Sequence, residues 1–185
     1  MIERTRESLE SSPVIVKNGY PYIVNPLLDG VPRMDPDILR EVTERMMEIS
    51  DFDCDIILAP EAMAIPFAAV ISLAKNIPYA VIRKRSYGCD GEITIDKSTG
   101  YSSSRMYIND IREGEKVVII DDVISTGGTM KSIVDAVEGR GCIITDIVVA
   151  IDKSDDIDEV SKVLGHPVKA AIGLTMVDGR PVSKH

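Results

Sequence analysis

The chain has 185 residues, 44% apolar and 28% charged, a balance suited to a globular domain with a core of its own. Its 21 lysines and arginines against 30 aspartates and glutamates leave a net charge of −9, which argues against nucleic acid as a partner, since phosphate contacts need a basic face. The scattered cysteines Cys54, Cys89 and Cys142 form no CxxC pair, and the charged start MIERTRESLE lacks the apolar run of a secretion signal, so a cytoplasmic protein is expected.

Residues 14–24, VIVKNGYPYIV, predict a hairpin about Asn18-Gly19, with Pro21 confining the second arm to an edge. A Pro-rich connector leads to Asp35, which caps a helix with Pro36 in its first turn and Ile38, Val42, Met46 and Ile49 on one face. Residues 56–74 have the length of a membrane span, but Pro60, Glu61 and Pro66 interrupt them. A buried strand over 55–58, a tight loop over 60–64 and a helix over 65–75 are expected instead, with no membrane partner. YAVIR, 79–83, predicts a further strand. The polar stretch 84–104 holds Gly88, Gly91, Gly100 and Ser102 to Ser104; its arms 92–95 and 105–108 can pair, and its length suggests a flexible lid.

The β-branched run 116–120 predicts a buried strand that Asp121 and Asp122 end. A turn at Ser125-Thr126-Gly127-Gly128 leads into a helix from Thr129, with Met130, Ile133, Val134 and Val137 at helical spacing. A strand over 142–150, a polar helix over 155–164 and a strand over 168–174 complete the chain. Asp152, Asp155, Asp156, Asp158 and Glu159 read as a solvated helix face, and His166 as a loop residue. This alternation implies an α/β fold with a mostly parallel central sheet flanked by helices. Ligands of such sheets bind beyond the carboxyl ends of the strands, which brings 59–64, 84–104 and 121–129 together.

The string VVIIDDVISTGGT has its own chemistry. Consecutive amides of a glycine turn, set at a helix N-terminus, make a cradle for phosphate, and Ser125, Thr126 and Thr129 add hydroxyl donors. Two carboxylates beside it can accept from sugar hydroxyls. No lysine follows Gly128 as a Walker A loop requires, and no GxGxxG is present, so a phosphorylated sugar fits better than a triphosphate or a dinucleotide.

This string resembles the phosphoribosyl pyrophosphate signature of type I phosphoribosyltransferases. APEAMA resembles their pyrophosphate loop, VIRKR the strand end after it, and NGYPYIVNPLLDGVPRMDPDIL the N-terminal hood and first helix of adenine phosphoribosyltransferases. The likeness covers nearly the whole chain and is strongest to archaeal hypoxanthine/guanine phosphoribosyltransferases. It implies one phosphoribosyltransferase domain over 1–185, with hood and connector in about 1–34 and the lid in 84–104. The implied reaction is transfer of 5-phosphoribose to a purine base with release of pyrophosphate, Mg²⁺ as cofactor, and a homodimer. Asp121 and Asp122 would hold the ribose hydroxyls directly or through the metal. Residues Ser125, Thr126, Gly127, Gly128 and Thr129 would bind the 5′-phosphate. The amides of Ala62, Met63 and Ala64 would meet the pyrophosphate, and Arg83 and Lys84 would neutralise it. Tyr87, Glu92, Tyr101 and Ser102 are candidate leaving-group contacts in the lid.

Two departures matter. Adenine enzymes tend to carry Glu-Ala-Arg-Gly where this chain has Glu61-Ala62-Met63-Ala64, and many 6-oxopurine enzymes carry Asp where this chain has Ser125. No residue is therefore assigned to the base N7 proton. Hypoxanthine and guanine rank ahead of adenine; a non-catalytic sensor of phosphoribosyl pyrophosphate is the alternative of another class.

Overall fold

The computed structural model describes residues 2–17, 19–99 and 102–184, and their side chains except those of 97–99 and 102–104. A helix that the apolar pattern does not announce comes first, α1 (Glu3–Glu10), of which only Thr5 and Leu9 are buried. Glu41 anchors it, accepting from the Thr5 amide at 3.0 Å and the Thr5 hydroxyl at 3.1 Å. The expected hairpin follows as β1 (Val14–Lys17) and β2 (Tyr20–Ile23), with Lys17 opposite Tyr20; Asn18 of its turn lies outside the described residues. Buried Asn25 then caps the short helix α2 (Pro26–Asp29), accepting from the Leu27 amide at 2.9 Å. Its side-chain amide reaches back to the Ser12 hydroxyl at 2.8 Å, tying the hood to α1. Asp35 caps α3 (Pro36–Glu48) as expected, and Val42 and Met46 are fully buried.

From here strands and helices alternate: β3 (Ile56–Pro60), α4 (Ala64–Lys75), β4 (Tyr79–Ile82), the hairpin β5 (Ile93–Thr99) and β6 (Ser102–Ile108), β7 (Lys116–Ile124), α5 (Gly128–Gly139), β8 (Ile143–Asp152), α6 (Ile157–Leu164), β9 (Val168–Val177) and β10 (Arg180–Lys184). The central sheet has the order β10-β9-β8-β7-β3-β4, parallel throughout except for β10. The stretch 56–74 is thus a strand, a turn and a helix, and among the described residues no helix is long and apolar enough to cross a membrane. Phe67, Ala68 and Ile71 of α4 join Val42 and Met46 of α3 on one face of the sheet. Met130, Ile133, Val134 and Val137 of α5 join Val160 and Leu164 of α6 on the other.

That division positions the site. From β3 the chain winds outward to β4; from β7 it winds the opposite way to β8 and β9, with the crossover helices on opposite faces. The strand order reverses between β3 and β7, where open α/β sheets leave a crevice. The register opens it further: β3 pairs with β7 only as far as Leu58 opposite Ile119, while β7 continues beside β8 to Ile124 opposite Asp152. Two expectations are corrected here. Asp121 and Asp122 do not end the strand, because β8 supplies partners for two residues beyond them, Val123 and Ile124. Asp152 is no part of a solvated helix face: it is the buried last residue of β8, accepting from the Ser154 amide at 2.8 Å and from Lys184 at 3.4 Å. Asp156, by contrast, caps α6.

Candidate active site

A cavity of about 500 Å³ fills the crevice, lined by Pro60 and Glu61 from the end of β3, Lys84 beyond β4, Arg105 and Met106 from β6, Asp121, Asp122 and Val123 from β7, and Thr129 from α5. All three segments expected to converge do so. A larger cavity, about 850 Å³, lies at the far edge of the sheet between α1, α3 and β9. Of its carboxylates Glu41 is engaged by Thr5, Glu48 by Arg45 and Asp152 by Ser154, whereas the smaller cavity lies at the strand ends and holds the raised acid pair.

Asp121 and Asp122 are adjacent on a strand, and the Asp122 amide donates to Asp121 Oδ1 at 2.9 Å. Burial holds the Asp121 carboxyl well above the usual carboxylate range, the Asp122 carboxyl beside it adds to the rise, and the Lys84 charge opposes it. Burial raises Asp122 as well, against hydrogen bonds that stabilise its anion. An apposed pair of this kind accepts from hydroxyls or holds a cation. Among the described residues no three His, Cys, Asp or Glu side chains form a metal cage. Two carboxylates suffice for Mg²⁺, which keeps several waters and leans on substrate oxygens, and a cation would favour the ionised form of both acids, which burial opposes. The residues present fit that ion.

Above the pair the chain turns through exposed Ser125 and Thr126 to Gly127, the N-cap of α5, at φ +75°. A β-carbon on Gly127 would lie 2.9 Å from Val160 Cγ1, so α6 packs against bare backbone here. Gly127 as N-cap offers α5 no side-chain cap, and the amides at a helix N-terminus suit an anion. On the opposite wall the Glu61–Ala62 peptide is cis and α4 begins at Ala64, with Met63 as its N-cap. Met63, standing where an arginine is common, packs against the hood: a β-carbon on Gly30 would lie 3.5 Å from its sulfur.

Arg83 and Lys84 part company. The Arg83 amide and carbonyl both bond Tyr107, at 2.9 and 2.7 Å, and its guanidinium lies 3.0 Å from Glu61. Lys84 is exposed and lines the cavity. Tyr87 stays outside the lining, its phenol 3.4 Å from Arg83 and its ring under Arg85; the two arginines lower its pKa, Arg85 the more strongly. Glu92 braces the base of the hairpin, accepting from the Tyr87 amide at 3.0 Å, from Asn109 at 3.1 Å and from the Ser86 hydroxyl. Those bonds, Ser86 foremost, lower its pKa. Ser102 opens β6 with its side chain outside the description, and Tyr101 lies outside the described residues.

The fold adds residues that spacing did not reveal. Arg105 enters the wall from β6, paired at 2.9 Å with exposed Asp96. In the hood, Tyr22 donates to Asp29 at 2.5 Å, and this bond, burial and the Asp29 charge push the phenol up to about 12, with Asp122 adding to the rise. Burial lowers the Lys153 ammonium while Asp29 supports it, and the Lys153 amide bonds Ile124 at 2.8 Å. Asp29 is thus felt by Asp122 and Lys153 alike. A lone aspartate 93 residues from the strand acids carries no spacing signal.

Comparison with known proteins shows the family. The family described as Phosphoribosyl transferase domain matches residues 35–169. The chain is 45% identical to a hypoxanthine/guanine phosphoribosyltransferase of Ferroglobus placidus, covering 100% of this chain and 99% of that one. It is 46% identical to the protein of the same name from Methanocaldococcus infernus, over 98% of this chain and 100% of the relative. It is 49% identical to HGPRTase-like protein 2 of Haloquadratum walsbyi, over 96% and 97%. Among solved structures, the adenine phosphoribosyltransferase of Thermoanaerobacter pseudethanolicus superposes with a TM-score of 0.76 at 22% identity, covering 94% of this chain and 99% of that one. That likeness speaks for the fold.

Proposed function

The chain belongs to the phosphoribosyltransferase family, and from that premise we propose that it transfers 5-phosphoribose from phosphoribosyl pyrophosphate to hypoxanthine, and to guanine, giving IMP or GMP and pyrophosphate. The observation that carries this reading is the crevice between β3 and β7, where two elevated carboxylates face a cation across a space bounded by an uncapped helix N-terminus.

In this reading the 5′-phosphate rests on the amides and hydroxyls of residues 125–129, and Asp121 and Asp122 accept from the ribose hydroxyls. The C1–O bond to pyrophosphate breaks as the base nitrogen bonds C1. Positive charge develops on the ribose and negative charge on the leaving group. The carboxylates favour the first; the amides of Ala62, Met63 and Ala64 with Lys84 favour the second, in a site that needs no reorganisation as charge moves. When Mg²⁺ is bound, Asp121 and Asp122 would hold it, and it would supply charge neutralisation for the pyrophosphate oxygens. The β5–β6 hairpin, standing over the crevice through Arg105 and Met106, shields the ribosyl cation from water. The enzyme works as a homodimer in the cytoplasm, without nucleic acid or membrane.

Steady-state rates with each base, phosphoribosyl pyrophosphate and Mg²⁺ test the assignment. Hypoxanthine and guanine are expected to give the highest kcat/KM. Equal or greater efficiency with adenine would overturn the base assignment, and pyrophosphate release with no base at all would overturn the transfer itself.

A further inference from the structure

A carboxylate at the mouth of a pyrophosphate subsite is out of place unless it organises something, because it repels the anion it stands beside. Glu61 is such a carboxylate. It is the first residue of the turn from β3 into α4, only 19% of its side chain is exposed, and it lines the crevice. Its own amide donates to Ile82 at 3.0 Å, so its backbone is registered against β4. One side-chain oxygen accepts from the Lys84 amide at 2.6 Å; the other lies 3.0 Å from the Arg83 guanidinium.

We propose that Glu61 is a positioning residue: it fixes the peptide between Arg83 and Lys84 and takes Arg83 as its counter-ion, so that Lys84 alone of the two enters the crevice. The proposal rests on the assignment of Lys84 to the leaving pyrophosphate. The geometry leaves Arg83 little freedom. Its backbone bridges to Tyr107 of β6 in both directions, its guanidinium is held by Glu61 and Tyr87, and its Nε is buried without a hydrogen-bond partner among the described residues. The Glu61–Arg83 pair is neutral in sum, so the carboxylate adds no net repulsion. Lys84, whose amide is pinned, lines the crevice together with Asp121, and its charge favours that carboxylate. Glu61 thereby joins three pieces, the pyrophosphate loop, the end of β4 and the foot of the β5–β6 hairpin.

Phosphoribosyl pyrophosphate binding with Mg²⁺ by calorimetry, together with KM, kcat and Tm, tests this in wild type, Glu61→Gln, Glu61→Ala, Arg83→Met and Lys84→Met. Glutamine keeps an oxygen for the Lys84 amide; alanine removes it. Glu61→Ala is expected to weaken phosphoribosyl pyrophosphate about tenfold or more, the scale of one charge-assisted hydrogen bond. KM for hypoxanthine should stay within about twofold, on the same grounds of a purely leaving-group contact. Glu61→Gln should recover most of the loss, and Lys84→Met should cost more than Arg83→Met. Wild-type affinity in Glu61→Ala, a Glu61→Gln as weak as alanine, or an Arg83→Met as weak as Lys84→Met would each overturn the proposal. The last comparison stands even where Glu61→Ala fails to fold. Binding is read without a base, so a wild type that binds phosphoribosyl pyrophosphate yet uses no 6-oxopurine would fault the base assignment and leave this comparison intact.

Discussion

Asp121 and Asp122 are held in a state that does not favour the empty protein. Burial raises both carboxyls; Asp122 adds to the rise of Asp121, whereas Asp29 adds to that of Asp122 and a hydrogen bond with Asp121 works against it. The linkage has a definite sign. A carboxyl whose folded pKa lies above its unfolded value stabilises the fold below the ordinary carboxylate range, and that contribution is lost as pH rises through the folded pKa. Asp121→Asn should therefore raise Tm at pH 7 relative to wild type, with the difference vanishing near pH 4; thermal melts at the two pH values decide it, and a lower Tm at pH 7 would contradict the assigned shift. Asp122→Asn should keep the fold and lower kcat by about a hundredfold or more, the usual scale for removing one preorganised electrostatic group. Near-normal turnover would remove Asp122 from the ribose. Sequence marked both acids because an acidic pair at the end of a β-branched run has no packing use. It did not mark Asp29, Lys153 or Arg105, whose part depends on contacts between elements far apart in the chain.

Among elements, the strand–turn–helix unit of β7 and α5 was the most legible, since its β-branched run, glycine turn and helical spacing all agree. What the sequence placed short was the strand end, because the aspartates have poor strand propensity and only the β8 partner overrides it. Of the expected arms 92–95 and 105–108, the first begins one residue later, at Ile93 opposite Ile108, and pairing runs on to Thr99 opposite Ser102 through serines and charges that carry no alternation. β10 was missed although Asp178-Gly179 is a hairpin dipeptide, both at positive φ; Pro181 after it disguised an edge strand. The turn itself offers a test. Gly127→Ala combines a left-handed backbone with a 2.9 Å contact to Val160, a strain of about 1–3 kcal/mol, so Tm should fall by several degrees. KM for phosphoribosyl pyrophosphate should rise with it, since the displaced amides are those assigned to the phosphate. An unchanged melt and KM would mean that α6 does not confine the turn.

At the scale of the molecule, fold and chemistry separate. The solved adenine enzyme shares the fold at 22% identity, while the relatives near 45% carry the hypoxanthine/guanine name. The family match begins at residue 35, so the hood of 1–34 lies outside it, and the hood is where Tyr22 and Asp29 approach Asp122 and Lys153. Base choice was the least legible property: in the proposed reading it falls to a short hairpin and α2, whose placement over the sheet no local pattern announces. A ligand held only by the folded protein must also stabilise it, and phosphoribosyl pyrophosphate at a hundred times its Kd should add about 2.7 kcal/mol, seen as a rise in Tm. Absence of any shift at saturation would leave a bare α/β domain.

The most direct measurement is a crystal structure of the protein with IMP. The 5′-phosphate should lie on the amides of residues 126–129, with the ribose hydroxyls facing Asp121 and Asp122 and the base under the hood. A phosphate bound elsewhere, with the crevice between β3 and β7 empty, would contradict the site.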